Sequence, residues 1–380
     1  MSEYFQLLFS DKHSFSILLY SFIFIVASLF AFNSQKFYDF GKNDKFIPKS
    51  FVMLFLILCF FYAFNDVGVD TPHYRTYFDE YKTFQDTSTH FGAVEMGYQY
   101  LNILLHYITD NSYTAIVIIR TFQLAILFGA IYLLRDRIHI GFAVMAYVAL
   151  YYFQSFNLLR SSLAGSLCIF SFALFFKRKY IWAIVSAFLA FEFHKSAIFF
   201  LIALFLYSLT YGSFLKKNRK LLIILTVTAL FIVLRVGADL ITLFLMNDFG
   251  GGRYEDYMDN TGTSMGVFVL IQYFPVFAVL YLMRNNKNIE GVRWWNMCFV
   301  WGIIGFALAI LGYTNGMLTR AAIYFSSSFI FLIPYFIRSA KGIRSYRLYW
   351  SIFLLYYMIL FIITLGGLYK ISGLGPYLLI

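Results

Sequence analysis

Apolar residues run along this 380-residue chain in long unbroken blocks, not at the spacing of one buried helix face or of an alternating strand. A helix that crosses a bilayer needs about 20 mainly apolar residues, and shorter ones serve where protein buries their ends. Such blocks lie at 15–32, 50–65, 113–134, 140–156, 158–176, 180–193, 196–211, 221–246, 265–283, 294–313, 318–337 and 348–368, which predicts twelve crossings. The polar breaks are slightest at Gln154–Asn157 and Glu192–Ser196, so the flanking pairs are the boundaries most open to revision. The first block is too long for a signal-peptide core and has no small-x-small cleavage site, so it is expected to remain as a helix. The expected fold is therefore an all-α polytopic membrane protein of about 12 transmembrane helices, one integral membrane domain over 1–380.

Composition agrees with the pattern. The chain is 61% hydrophobic and 13% charged, against about 45–50% and 25% in soluble domains. A soluble enzyme is excluded on that ground. Cys59, Cys168 and Cys298 each lie inside an apolar run and read as small core residues, not as a disulfide framework or metal site. The net charge of +11 does not indicate nucleic acid, because the bases sit in short groups between apolar blocks. Taking alternate connections (33–49, 135–139, 177–179, 212–220, 284–293 and 338–347), one set holds 20 of the 30 Lys and Arg and 4 of the 19 acids. The positive-inside rule places that set in the cytoplasm and both termini outside. The expected location is the bacterial cytoplasmic membrane. The cytoplasmic connections are too short for a nucleotide-binding domain, and no P-loop or GxGxxG occurs. The longer segments 66–112, 248–264 and 369–380 fall outside, so chemistry is expected at the outer face.

Segment 65–77 reads Asn65-Asp66-Val67-Gly68-Val69-Asp70-Thr71-Pro72-His73-Tyr74-Arg75-Thr76-Tyr77. Pro72 is expected to push Thr71 out of the helical region and leave Asp70 on an exposed turn. A mixed aromatic and charged helix should follow from His73. Residues 95–105 predict a short interfacial or re-entrant helix with Glu95 at its N-terminus, where a carboxylate is favoured. Most of the tyrosines here read equally as a membrane-interface belt. Against the positive-inside trend, Arg160, Arg253 and Arg320 fall on the outer side, as do His194 and Lys195 at the outer end of another block. Any one arginine reads as well as a residue snorkelling to headgroups; several together suggest function, and the planar guanidinium suits phosphate oxygens. Arg120 and Arg235 lie deeper and are not assigned to the site; Asp239, one turn after Arg235, suggests an intrahelical pair. His194 reads either as a structural histidine or as a general base. There is no HExxH, HxH, DxD or GxSxG, and Glu255, Asp256 and Asp259 read as a solvated acidic loop. A metal-independent site is expected, with a divalent cation left open.

These residues resemble the EpsG/Wzy-type polysaccharide polymerases of bacterial envelopes. The resemblance is carried, in order, by Gly68-Val69-Asp70-x-x-x-Tyr74, Glu95-x-Gly97-Tyr98 with Asn102, and Arg160-Ser161-x-x-Ala164. It continues through Phe193-His194-Lys195-Ser196-Ala197, Arg253-Tyr254, Arg320-x-x-x-Tyr324 and Pro376-Tyr377. It implies a glycosyltransferase of GT-C-like fold that moves a growing glycan from polyprenyl diphosphate onto the next lipid-linked repeat. On that reading Arg160, Arg253 and Arg320 hold diphosphate oxygens, Asp70 or His194 is the base, and Glu95 orients the acceptor or substitutes as base. Asp70 stands slightly ahead because its turn is exposed; Tyr74, Tyr254 and Tyr324 shape the pocket. The implied partners are the polyprenyl-diphosphate-linked oligosaccharide and membrane lipids, with no soluble cofactor and no nucleic acid; whether a chain-length regulator binds stays open. Rival readings are an O-antigen-ligase-like transferase, a lipid-linked glycan flippase, and a membrane-bound acyltransferase relying on His139.

Overall fold

The structure is a computed structural model and describes residues 11–40, 46–88, 94–211, 265–285, 288–311, 320–325, 328–371, 373–375 and 377. No strand occurs among the described residues, and every predicted apolar block that falls on them coincides with helix. The block at 221–246 and the Arg235–Asp239 pair lie outside them. Among the described residues six helices are long and apolar enough to cross a membrane: Ser14–Asp39, Ser112–Leu133, Leu159–Phe176, Glu290–Ile310, Arg320–Ser339 and Tyr346–Gly367. The chain is a multi-pass membrane protein. Lys49–Ala63, Ile140–Tyr152, Tyr180–Phe193, Lys195–Leu204 and Val269–Leu282 are apolar but shorter. By length and apolarity alone, six of the twelve expected crossings qualify among the described residues, and the shorter helices fall below that length. The reason is geometric: fifteen residues of helix reach about 22 Å, against a hydrocarbon core of about 30 Å.

In chain order the helices used below are α1 (Asp11–Phe40), α2 (Lys49–Ala63), α3 (Thr71–Glu80), α4 (Met96–His106) and α5 (Ser112–Leu133). They continue with α6 (Ile140–Tyr147), α7 (Leu159–Phe176), α8 (Tyr180–Phe193), α9 (Ile198–Tyr211), α10 (Met265–Leu282), α11 (Ile289–Leu311), α12 (Ile333–Ser339) and α13 (Tyr346–Ile371). Local chemistry sets their ends. Asn111 caps α5 by accepting from the Thr114 N–H at 3.1 Å. His139 caps α6 in the same way, its Nδ1 accepting from the Phe142 N–H at 3.4 Å. After α6 the chain loosens into a π-helical turn at Val148–Tyr152 and a 3₁₀ turn at Gln154–Phe156. The slight polar break in the sequence is thus a real change of helical geometry.

The fold comprises two compact units. One contains Met1–Asp86, Gln99–Ser166 and Ile333–Ile380, the other Thr87–Tyr98 and Leu167–Leu332. In the first, α1 packs on α6 and α2, α2 on α5, and α13 on the π turn. A Cβ added to Gly141 would sit 2.5 Å from the Phe32 ring, so glycine lets α1 and α6 approach closely. Phe24 and Phe361 stack at 4.3 Å, and Tyr20 meets Phe153 at 4.9 Å. In the second unit α10 packs on α11 and α8 on α9. Its core is aromatic: Trp301 and Phe331 meet Phe172, and Trp301 also meets Phe200 and Tyr207. Ser171 and Ser186 donate to the Ala183 and Leu167 carbonyls at 2.7 and 2.9 Å, which ties α7 to α8. All three cysteines are buried and free, as small core residues would be.

Candidate active site

The polar residues singled out in the sequence collect into two groups, one in each unit.

The first group is built on the segment that follows α2. Asn65 is fully buried and closes that helix, donating to the Phe61 and Tyr62 carbonyls at 2.9 and 2.6 Å. Gly68 then adopts φ +106, a conformation essentially reserved for glycine. A Cβ there would lie 2.8 Å from the Phe156 carbonyl oxygen and 2.9 Å from the Asn157 Cα. Glycine is needed twice over, for the turn and for the approach of the 155–157 segment. The Gly68 N–H donates to the Gly373 carbonyl at 3.2 Å, so the C-terminal segment also braces the turn. Tyr377 joins it there, donating through its hydroxyl to the Phe61 carbonyl at 2.9 Å.

Asp70 follows directly. Its backbone N–H donates to Asn157 Oδ1 at 2.8 Å, and its side chain makes no capping bond to α3. The helix begins at Thr71, one residue before Pro72. The expectation that Pro72 would force Thr71 out of the helix is thereby corrected: proline in the first turn sacrifices no hydrogen bond, because N–H groups there have no helical partner. Asp70 is half-buried, with its backbone tied down, while Val69 beside it in the turn is exposed. Tyr74 is buried one turn later. Arg75 pairs with Asp66 at 2.8 Å and lies over the Tyr113 ring at 4.5 Å, so that cation is engaged locally. Arg160, half-buried and three residues after Asn157, places its guanidinium carbon 5.7 Å from the centre of the Tyr77 ring. A carboxylate and an arginine thus sit on two segments joined by the Asp70–Asn157 bond.

The second group centres on the break after α8. His194 ends that helix, with its N–H donating to the Ala190 carbonyl at 3.0 Å, and turns into extended backbone at φ −157 and ψ 116. Its Nδ1 lies 2.7 Å from Ser196 Oγ, which lies 3.1 Å from the Tyr324 hydroxyl. Ser196 and Tyr324 are fully buried and His194 is 5% exposed. The Lys195 N–H donates to Glu95 Oε1 at 3.3 Å, so the buried Glu95 carboxylate meets the same break. Gly97 explains how: its Cβ would lie 2.7 Å from the Glu192 carbonyl, so the first turn of α4 rests on the end of α8. Glu95 stands one residue ahead of α4, and its carbonyl accepts from the Tyr98 N–H at 2.9 Å. Arg320 is half-buried, one turn before Tyr324. Arg253 and Tyr254 lie outside the described residues.

A family model, the EpsG family, matches residues 49–378. The chain belongs to the EpsG family. No curated protein and no solved structure matches it. Membership in the EpsG family points to a polysaccharide-polymerase or glycosyltransferase role. The matched range contains every residue of both groups. Three further participants have no role assigned from the sequence: Arg120, Asn157 and Ser196. Asn157 and Ser196 stand in segments the sequence singles out, but nothing local assigns either one a partner. Arg120 is visible as a cation inside an apolar block, but its partners are 36 to 55 residues away along the chain. No group of three or more His, Cys, Asp or Glu suited to a metal ion occurs among the described residues.

Proposed function

We propose that the protein polymerises lipid-linked oligosaccharide repeat units at the outer face of the bacterial cytoplasmic membrane. The growing glycan passes from polyprenyl diphosphate to a sugar hydroxyl of the next lipid-linked repeat. The observation that carries this reading is the family match over 49–378. Its chemistry suits the residues present. The bond from the donor sugar C1 to the diphosphate oxygen breaks while the acceptor oxygen bonds to C1. The acceptor proton passes to a base, and the diphosphate leaves with the electron pair. A diphosphate needs charge stabilisation more than a strong general acid, and arginine forks supply it. Arg160 and Arg320 are each proposed to hold diphosphate oxygens. Asp70 is the preferred base: its carboxylate is not spent on capping and its backbone is fixed. His194, bonded through Ser196, is the second candidate, with Glu95 beside it. The chemistry requires no soluble cofactor.

Deletion of the gene in its host, with surface glycan run on a gel, tests the reading. Single repeats on lipid should replace the ladder and return to a ladder with wild type. Arg160→Ala or Arg320→Ala should each lower elongation about 100-fold or more at normal protein level. An unchanged ladder refutes an envelope-glycan role, and full loss of transferred repeats points instead to a ligase or flippase.

A further inference from the structure

Arg120 lies eight residues after the start of α5, about 12 Å along the axis of an apolar helix, and is 1% exposed. A cation so placed is costly and calls for a reason. Its hydrogen bonds all end on neutral oxygens. Nη1 donates to the Asn65 carbonyl at 2.6 Å and to Asn65 Oδ1 at 3.3 Å. Nη2 donates to Thr71 Oγ1 at 3.3 Å and to the Phe156 carbonyl at 3.1 Å. Nε has no partner among the described residues. The guanidinium also lies over the Tyr62 ring at 5.5 Å, and the Tyr62 hydroxyl in turn bonds Gln123 and the Ser155 carbonyl.

One side chain therefore grips two separate segments. Nη1 holds the start of the 65–71 turn; Nη2 holds its end and the 155–157 turn together. The Asp70–Asn157 bond and the close approach at Gly68 close the same loop of contacts. The arrangement uses the planar geometry of arginine, since a lysine ammonium is a point donor that cannot span both segments in fixed directions. Stability alone does not require it, because buried charged groups can often be exchanged for apolar packing at little cost. What the bridge sets, together with the Asp70–Asn157 bond, is the spacing between the turn that carries Asp70 and the segment that leads into Arg160.

We infer that Arg120 is a positioning residue for transfer, holding the Asp70 and Arg160 segments in register without touching substrate. This rests on the function proposed above. Displacing reacting groups by about 1 Å costs on the order of 100-fold in rate. The loss should therefore appear in turnover, not in donor binding.

The test uses the full-length protein in lipid nanodiscs with a synthetic polyprenyl-diphosphate-linked repeat. Arg120→Lys should stay folded by thermal unfolding, keep the donor KM within about threefold, and lower kcat by about 10- to 100-fold. In an Asp70→Asn background the same change should cost less than about threefold, because the group it positions is already disabled. Asn157→Ala cuts the other end of the link while leaving Arg120 in place, and should show the same loss and the same non-additivity; it decides the matter if Arg120→Lys does not fold. Wild-type turnover in both variants, or losses that multiply independently with Asp70→Asn, would overturn the inference while leaving the polymerase reading intact. No elongation by wild type would overturn the functional reading and this inference with it; full activity in Asp70→Asn would overturn this inference and pass the role of base to His194.

Discussion

Replacing Gly68 with alanine measures how tightly the Asp70 turn is held. Two costs arise. At φ +106 an L-residue is strained, by about 1–3 kcal/mol. The new methyl group would also lie 2.8 Å from the Phe156 carbonyl oxygen and 2.9 Å from the Asn157 Cα. Both are backbone atoms, so no side-chain rotation relieves the clash, and overpacking of this kind adds about 1–3 kcal/mol. The expected loss is thus about 2–6 kcal/mol, reduced to the extent that the two segments part. Parting would stretch the Asp70–Asn157 bond and the Arg120 bridge, so elongation should fall further than folded protein does. The built-in control is Gly366→Ala or Gly367→Ala in α13, where a Cβ meets nothing within 4 Å. There alanine should be neutral or stabilising by up to about 1 kcal/mol. Thermal unfolding and in vitro chain elongation in nanodiscs read both effects. If Gly68→Ala matches Gly366→Ala in midpoint and rate, the close-approach argument is wrong.

Three further outcomes are expected. Ser196→Ala removes a partner from both His194 and Tyr324 in a buried site and should cost about 1–3 kcal/mol; Tyr324→Phe, which removes one of the two bonds, should cost less by the same unfolding assay. Burial holds the His139 imidazole at about 4, with the Arg338 charge also acting to lower it and Asp39 opposing. The unfolded imidazole takes up a proton near 6.5 while the folded one does not, so this stability is present above about pH 6.5 and lost as pH falls toward 4. The loss is on the order of 3 kcal/mol, and His139→Gln should flatten that part of the stability–pH profile. Arg178 is a non-glycine residue at φ +63 in the turn between α7 and α8, so Arg178→Gly should raise stability by about 0.5–1 kcal/mol, whereas Arg178→Lys should not.

Much of the site vocabulary is legible in the amino-acid sequence. Gly68 and Gly97 stand out as motif residues, and each marks a place where two backbones nearly touch. Glu95 stands ahead of a short helix, as its spacing predicts. The start of α3 departs from expectation because the residue before a proline is usually extended, whereas the first helical turn tolerates proline without loss. Arg120 is not legible as a participant because its partners, Asn65, Thr71 and Phe156, come from two distant segments. Nothing in local spacing signals such a meeting.

That the chain is a multi-pass, all-helical membrane protein, and which stretches become helix, follows from the residues in order along it. Transfer of apolar side chains out of water is roughly additive along a segment, so a local sum suffices. Which polar groups work together within each unit follows only from packing: Asp70 with Asn157, Asn65 and Phe156 with Arg120, His194 with Tyr324 through Ser196. A hydrogen bond depends on distance and direction to within fractions of an ångström. Those are set by how helices far apart in the chain pack, and by the glycines that let them come close.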